Sequence, residues 1–466
     1  MPRTFSLLNL RTVIVVAALA APLGLPDLHA QETTALPDAP GARRVLTAQA
    51  QAPPPPSSAP QAPSVSKALP QAITLEQALE LAKLNNPTLR ANDTLVSQNK
   101  AQEITANLRP NPVLQWDTQF LPLFAPSLWS DSNYWETQAQ YDVGIGYLFE
   151  RGKKRQHRLD AAKSATSVTE AQVTDAQRTT LASASQLFVA ALLAKSNLEF
   201  AEGLLDSYRK TVALSQEQFK AGAMSRNDLL KIQLQQLQFE SDANAARLAK
   251  IQALASLRQF LGFDSVPADY DVAGNLAYEP VTLRLEDLQA RALNNRPDLQ
   301  AAQRTVVASE SQVGLAKANG KVDLNVTFDY TRLNQSNLGA FYFSVPLAIF
   351  NKNQGEIART QYAVTQSQFQ QKAAEQQVLT DVRNSYEALR SGEKVVQLFD
   401  QGYLDQATQS LDITKFSYEH GAASLLDFLD AERSYRSTQL SYRQALASYM
   451  TALEQLRQAV GSRNLQ

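Results

Sequence analysis

"GAASLLDFLDAE", Gly421–Glu432, repeats a pattern that the chain has already used once. "GAMSRNDLLKIQ", Gly222–Gln233, shares five residues with it, each pair 199 positions apart: Gly222/Gly421, Ala223/Ala422, Ser225/Ser424, Asp228/Asp427 and Leu230/Leu429. Glycine lets the backbone reverse tightly, and a serine three residues on can cap the next helix. Each copy therefore reads as a turn between two helices. The repetition reaches further. "LEQALELAKLNNPTLRA" (Leu75–Ala91) matches "LEDLQARALNNRPDLQA" (Leu285–Ala301) at a separation of 210, and "LRQFLG" (Leu257–Gly262) matches "LRQAVG" (Leu456–Gly461) at 199. The chain is a tandem duplication, and something in the middle of the repeat absorbs the difference of about 11 residues.

Proline placement shows what fills each repeat. None of the 21 prolines falls between Arg151 and Phe263, and none follows Pro346. Proline breaks helices, so these stretches can carry long ones. Lys154–Phe219 and Glu356–Glu419 are rich in Ala, Gln, Leu, Glu and Lys, and each spans about 65 residues, ~100 Å as helix. Shorter helices are expected from Thr88 to Leu108 and from Ser225 to Leu261; end to end they match one long helix in length. In the second of these, Leu230, Leu234, Leu237, Ser241, Ala245, Leu248, Ile251 and Leu254 recur every 3.4 residues on average, a narrow seam suited to supercoiling against neighbours.

Between the helices the period changes to two. In "VDLNVTFDYT" (Val322–Thr331), Val322, Leu324, Val326, Phe328 and Tyr330 alternate with Asp323, Asn325, Thr327, Asp329 and Thr331. Leu114, Trp116, Thr118 and Phe120 form the counterpart in the first half, against Gln115, Asp117 and Gln119. A second strand follows in each half: Ala139, Tyr141, Val143, Ile145, Tyr147 and Phe149 alternate with polar or small residues, as do Phe341, Phe343, Val345 and Leu347. Strands are expected over about 112–120, 138–149, 321–331 and 339–349. The loops between them run roughly over 121–136 and 332–338, so the first loop holds the extra residues.

Composition removes several function classes. Among 466 residues with net charge −1 there is no cysteine and there are only three histidines, His29, His157 and His420. No disulfide, thiolate metal site or cysteine nucleophile is possible, and no strong electrostatic pull toward nucleic acid is implied. No phosphate loop, His-x-x-x-His pair or nucleophile elbow occurs, so no enzyme activity, metal site or cofactor is expected. Residues 1–30 read as an export signal, with Arg3 and Arg11 before the apolar run Thr12–Leu25 and Ala30 before Gln31; an uncleaved anchor is the other reading. Residues 31–72, with "APPPPSSAPQAP" (Ala52–Pro63), read as a Pro/Ala-rich disordered linker. The first repeat then covers 73–263 with a tip turn at 219–228, a connector covers 264–284, and the second repeat covers 285–463 with a tip turn at 418–427.

Strands of this length, apolar on one face, fit a tilted bilayer crossing. An open sheet cannot sit in lipid, because its edges leave backbone groups unpaired. Four strands are too few for a barrel, which would have to close between subunits. The competing reading is a soluble sheet sandwich, which such long helices would not fit.

The ordered set of features resembles the outer membrane efflux protein (TolC) family over residues 73–463. It comprises the tandem repeat, the two helix starts "NNP" (Asn85–Pro87) and "NRP" (Asn295–Pro297), the strand running into "LFERGKKRQHR" (Leu148–Arg158), and the two Gly-x-x-Ser-x-x-Asp turns. "YDVGIGYLFERGKKRQ" (Tyr141–Gln156) is similar to the branch serving heavy-metal and other resistance-nodulation-division pumps. The resemblance implies an α+β membrane protein and a homotrimer. Twelve strands would form one outer-membrane β-barrel, and the duplicated helical hairpins a periplasmic α-barrel. It implies a passive conduit in a tripartite efflux system, with a periplasmic adaptor and an inner-membrane pump as partners. A soluble periplasmic coiled-coil scaffold or adaptor is the alternative.

Several residues acquire candidate roles. Asp427 and Asp430 share a helix face near a helix start, and threefold symmetry would stack them as rings of carboxylates. Acids in a first turn also complement the helix dipole, so both readings stand. The resemblance implies that Asp427 and Asp430 form a periplasmic constriction and that Tyr418 and Asp228 help to close it. The arginine completing that latch would fall at Ala423 and is absent, which leaves Arg226 as one substitute. The turns at Gly222, Ser225, Gly421 and Ser424 are implied adaptor-docking tips. Trp116, Trp129 and Trp135 suit a membrane interface. Arg151, Lys153, Lys154 and Arg155 suit anionic headgroups, or are simply a solvated charge run.

Overall fold

The computed structural model describes residues 71–465. The expected export signal and all but the last two residues of the Pro-rich linker lie outside these. That linker ends sooner than expected: Ala72 is already in strand β1 (Ala72–Ile73), which pairs in parallel with β4 (Asp271–Val272).

The helices of the first repeat are α1 (Leu75–Asn85), α2 (Pro87–Asn107), α4 (Lys154–Lys220) and α5 (Arg226–Leu261). A short α3 (Ser132–Thr137) lies in the strand loop. α4 has 67 residues, and α2 and α5 both pack along it. The two shorter helices meet end to end. Asn86 caps α2, accepting from Thr88 N and Leu89 N through Oδ1, while its Nδ2 donates to the Phe260 carbonyl near the end of α5 at 2.8 Å. α4 is also long and apolar enough by composition to cross a membrane. Ala184, Phe188, Ala191 and Leu192 on it are instead buried against Ala78, Leu79 and Ala82 of α1 and Leu257 and Leu261 of α5.

The second repeat follows the same plan with α6 (Leu285–Asn295), α7 (Pro297–Asn319), α8 (Gln354–Leu398), α9 (Leu404–Glu419) and α10 (Leu425–Val460). Here the single long helix expected over 356–419 is broken. Phe399–Tyr403 form a wide π-type turn in which Gly402 takes φ 114°. No other residue type adopts that backbone easily, so the break is built on this glycine.

One antiparallel sheet has the order β2-β3-β5-β6, from β2 (Val113–Gln119), β3 (Gln140–Phe149), β5 (Leu324–Leu333) and β6 (Ser336–Ser344). β6 starts and stops earlier than the expected 339–349, and β5 runs on past 331. The cause is a two-residue turn at Asn334 and Gln335, both at positive φ (49° and 60°), the hairpin geometry whose twist matches the strands. Pro346, without an N–H, lies just beyond the end of β6. The β2–β3 loop is longer and holds α3 and a 3-10 turn at Pro126–Ser130.

The register puts Trp116 opposite Val143, Val143 opposite Tyr330, Ile145 opposite Phe328, and Phe328 opposite Phe341. That face is apolar and open: Trp116 is 77%, Phe341 66% and Phe343 69% exposed. The other face is polar and knit together. Buried Asp142 accepts from Thr331 Oγ1 at 2.6 Å and from the side-chain amides of Gln140 and Gln119. The outer edges of β2 and β6 have no strand partner among the described residues.

Candidate functional site

The two tips are built by one device used twice. Gly222 N donates to Phe219 O and Ala223 N to Gln218 O; Gly421 N donates to Tyr418 O and Ala422 N to Ser417 O. This crossed pair of bonds ends a helix with a left-handed residue, and Gly222 (φ 81°) and Gly421 (φ 77°) supply it. Ser225 Oγ then accepts from Asp228 N, and Ser424 Oγ from Asp427 N, starting α5 and α10. All four turn residues are exposed, and a Cβ at either glycine would meet open space.

The acids differ in state. Asp427 is exposed but occupied: its Oδ2 accepts from Ser424 Oγ (2.7 Å) and Ser424 N (3.0 Å), closing a capping box. Those two hydrogen bonds hold its carboxyl below the usual range. Asp430, one turn on and exposed, pairs with Arg433 at 3.3 Å. Asp228 accepts from the Ser225 hydroxyl and lies 3.9 Å from Lys231. Tyr418 is half-buried and stacked on Phe428, with ring centroids 5.3 Å apart. Burial, and after it the charge of Asp228, pushes its phenol above the ordinary value. No hydrogen bond joins Tyr418 to Asp228 among the described residues. Arg226 is exposed, and among the described residues no ion pair to it is found.

At the opposite end of α4, the basic run divides. Lys154 is not free for headgroups: it is buried and bonded to Asp323 Oδ2 at 2.6 Å, while Arg151 N donates to Asp323 Oδ1. Arg158 pairs with Glu150 through both terminal nitrogens and reaches Ala106 O and Leu108 O. These contacts tie the start of α4 to the strands and to α2. Arg151 and Lys153 remain exposed and Arg155 half-buried. Trp129 and Trp135 sit together in the β2–β3 loop with centroids 5.5 Å apart. Trp116 lies apart from them, mid-strand on the apolar face.

Two groups escaped sequence reading. Arg296 in "NRP" is buried and anchors the second repeat, bonding Asp298 (2.5 Å), Asp381 (2.9 Å) and the Ala459 carbonyl. Glu432 is buried on α10. Among the described residues, no group of three or more His, Asp or Glu could hold a metal ion. The seam residues Leu230, Leu234, Leu237, Leu248 and Ile251 are 50–68% exposed, because α5 packs on α4 through Ile232, Phe239 and Ala243 instead.

The fold is a pair of duplicated helical hairpins with a strand hairpin inserted in each, an exposed apolar sheet face and two sheet edges without a strand partner among the described residues. The outer membrane efflux protein family matches residues 78–263 and 288–462, and the chain belongs to that family. It is similar to the cobalt-zinc-cadmium resistance protein CzcC of Cupriavidus metallidurans, with 24% identity over 79% of this chain and 85% of that protein. It is also similar to the cation efflux system protein CusC of Escherichia coli K12, with 26% identity over 53% of this chain and 56% of that one. Among solved structures, CusC superposes with a TM-score of 0.68 at 19% identity, covering 83% of this chain and 92% of that one. The open state of the Neisseria gonorrhoeae MtrE outer membrane channel gives 0.67 at 18% identity, covering 84% and 90%. The protein is an outer-membrane efflux channel component.

Proposed function

We propose that three copies of the chain close one 12-stranded barrel and one helical tunnel, forming a passive conduit from a periplasmic adaptor and an inner-membrane pump of the resistance-nodulation-division type to the exterior. The observation that carries this reading is the sheet, with its apolar face exposed and both edges without a strand partner among the described residues. Unpaired edges cannot persist in lipid, and closure by neighbouring copies removes them. The open leucine seam on α5 offers the helical part a matching contact between copies. Trp116 then faces lipid, Trp129 and Trp135 sit toward one membrane surface, and Arg151, Lys153 and Arg155 meet lipid headgroups at the other.

In this reading the helix ends carry the remaining roles. Asp430 and the capped Asp427 form stacked acidic rings at the narrow end and favour cations. Asp228 and Tyr418 help to hold the entrance closed beside them. Gly222, Ser225, Gly421 and Ser424 present the backbone surface on which the adaptor docks. Relatives named for cation efflux support cations as cargo, which pass through rather than bind. The test is fractionation and conductance. The reading expects the protein to sediment with outer membranes as a heat-modifiable trimer and to form discrete cation-preferring channels in planar bilayers. A soluble protein without conductance would overturn it. Loss of adaptor-dependent resistance in Gly222→Trp and Gly421→Trp, with a normal trimer, is the expected outcome for tip docking.

A further inference from the structure

Where the second tip meets the first hairpin lies a cluster that neither caps nor sheet use. Leu205, Tyr208 and Val212 of α4, Ile232 and Phe239 of α5, and Leu425 and Phe428 of α10 form one apolar core. Glu432 on α10 is buried close to this core, 8% exposed, and its Oε2 is sealed from solvent with no hydrogen-bond partner among the described residues. The Tyr208 hydroxyl on α4 is equally sealed and likewise has no partner among the described residues, and it lies close enough to feel the charge of Glu432. An ionised carboxylate without partners in such a place is costly, whereas the neutral acid is tolerated.

The surroundings do not cancel that cost. Arg436 on α10 and Lys415 on α9 favour the charged form of Glu432. Arg436, however, is committed to Asp242 of α5 at 2.6 Å and lies over the Phe239 ring. The other titratable groups near this contact are the phenols of Tyr208 on α4 and Tyr418 on α9, with Asp228 of α5 acting on the latter. Burial outweighs both cations and pushes the Glu432 carboxyl up to about 7. A place to pivot exists as well. The wide turn at Phe399–Tyr403 separates α9 from α8, and it touches α10 at Tyr442, whose hydroxyl donates to Asp400 at 3.3 Å and whose ring lies 5.6 Å from that of Phe399.

We propose that Glu432 is a proton-operated latch: protonated, it lets α10 seat against α4 and α5; ionised, it loosens that seat and frees the second tip. Its role in gating rests on the conduit reading above, whereas the packing switch itself does not. A freed glutamate titrates near 4.5, and the seated one keeps its proton up to about 7. Seating is therefore strongest below about pH 4.5 and is lost progressively as pH rises to about 7. The seated-to-freed ratio is expected to fall by on the order of a hundredfold across that window.

The test uses the full chain. Hydrogen exchange of residues 204–215 and 425–433, corrected for intrinsic rate, is followed at pH 5.5 and pH 8. Protection in the native chain should fall by on the order of tenfold or more between the two. Glu432→Gln keeps the shape without titrating and should be protected alike at both. Lys415→Gln removes a cation that favours ionisation and should move the midpoint upward. A Gln variant with unchanged pH dependence, or a midpoint unmoved by Lys415→Gln, overturns the latch. Planar bilayers separate it from the conduit reading. Exchange that switches in a protein that forms no channel supports the latch and overturns the conduit; channels whose tip exchange ignores pH do the reverse.

Discussion

The two halves of the chain descend from one plan and lock it in different ways. At the joint where two short helices abut, the first half uses Asn86, a neutral cap that also reaches Phe260 O. The second half has Arg296 at the matching position, reaching the matching carbonyl, Ala459 O, and adding Asp298 and Asp381. Along the rods, Gly203 and Gly402 are also repeat-related. Gly203 sits in an unbroken α4, and Gly402 in a break with φ 114°. At the tips, Lys231 stands where the second copy has Asp430. The first half is an unbroken, neutrally capped strut. The second is anchored by ions at its base and hinged above its tip, which makes it the half suited to move.

The largest test of this contrast is at the joint. Arg296→Ala strands Asp298 and Asp381 beside a buried hole and should cost about 3 kcal/mol, because the two carboxylates are only part-buried. Asn86→Ala should cost about 1 kcal/mol. Denaturant unfolding followed by exchange in each repeat separates the two, and equal costs would break the contrast. The joint also has a pH signature. Burial alone would raise the Asp298 carboxyl, yet its bond to Arg296 and the charges of Arg296 and Arg178 hold it below the ordinary value of 3.8. That stabilisation is complete above about 3.8 and is lost as pH falls through the lowered value, so the second repeat should loosen first in acid.

Next come the rod glycines, with opposite signs. Gly203→Ala lies on an exposed helix face and should stabilise by about 0.5–1 kcal/mol. Gly402→Ala forces a left-handed alanine and should destabilise by about 1–2 kcal/mol, or straighten the break and stiffen the second tip. Thermal unfolding gives the sign, and spin-label distances between α8 and α9 tell strain from straightening. Smaller still are the caps: Ser225→Ala and Ser424→Ala should each cost about 1 kcal/mol, read as faster exchange in the first turns of α5 and α10. The least effect on stability is expected for Asp430→Asn, since an exposed pair with Arg433 contributes little. Its effect should appear as weaker cation preference in bilayers.

What sequence could and could not reveal follows from the range of the signals. The alternation in Val322–Thr331 and the proline-free stretches are local patterns, imposed by a two-faced sheet and by uninterrupted helices. The tip turns are equally local, since Gly, Ser and Asp act within seven residues. The missed features depend on distant partners or rare backbone states. Lys154 belongs to a basic run by sequence, and only Asp323, 169 positions away, makes it a staple. Gln335 at positive φ is an uncommon choice, so the β5–β6 turn was hidden. Gly402 gives no warning of a break, because Gly203 in the same setting makes none. Arg296 and Glu432 look like surface charges until the elements that bury them are in place.

The central claim is that the chain is one third of a closed wall, and the absence of native cysteine permits a direct test. One cysteine is placed on the open edge of β2, at Gln115, and a second is stepped along β6 from Asn337 to Phe343. Oxidation is carried out in native outer membranes. The account predicts covalent dimers and closed trimers at one register of β6 and its alternate neighbours. Monomers at every register would contradict it.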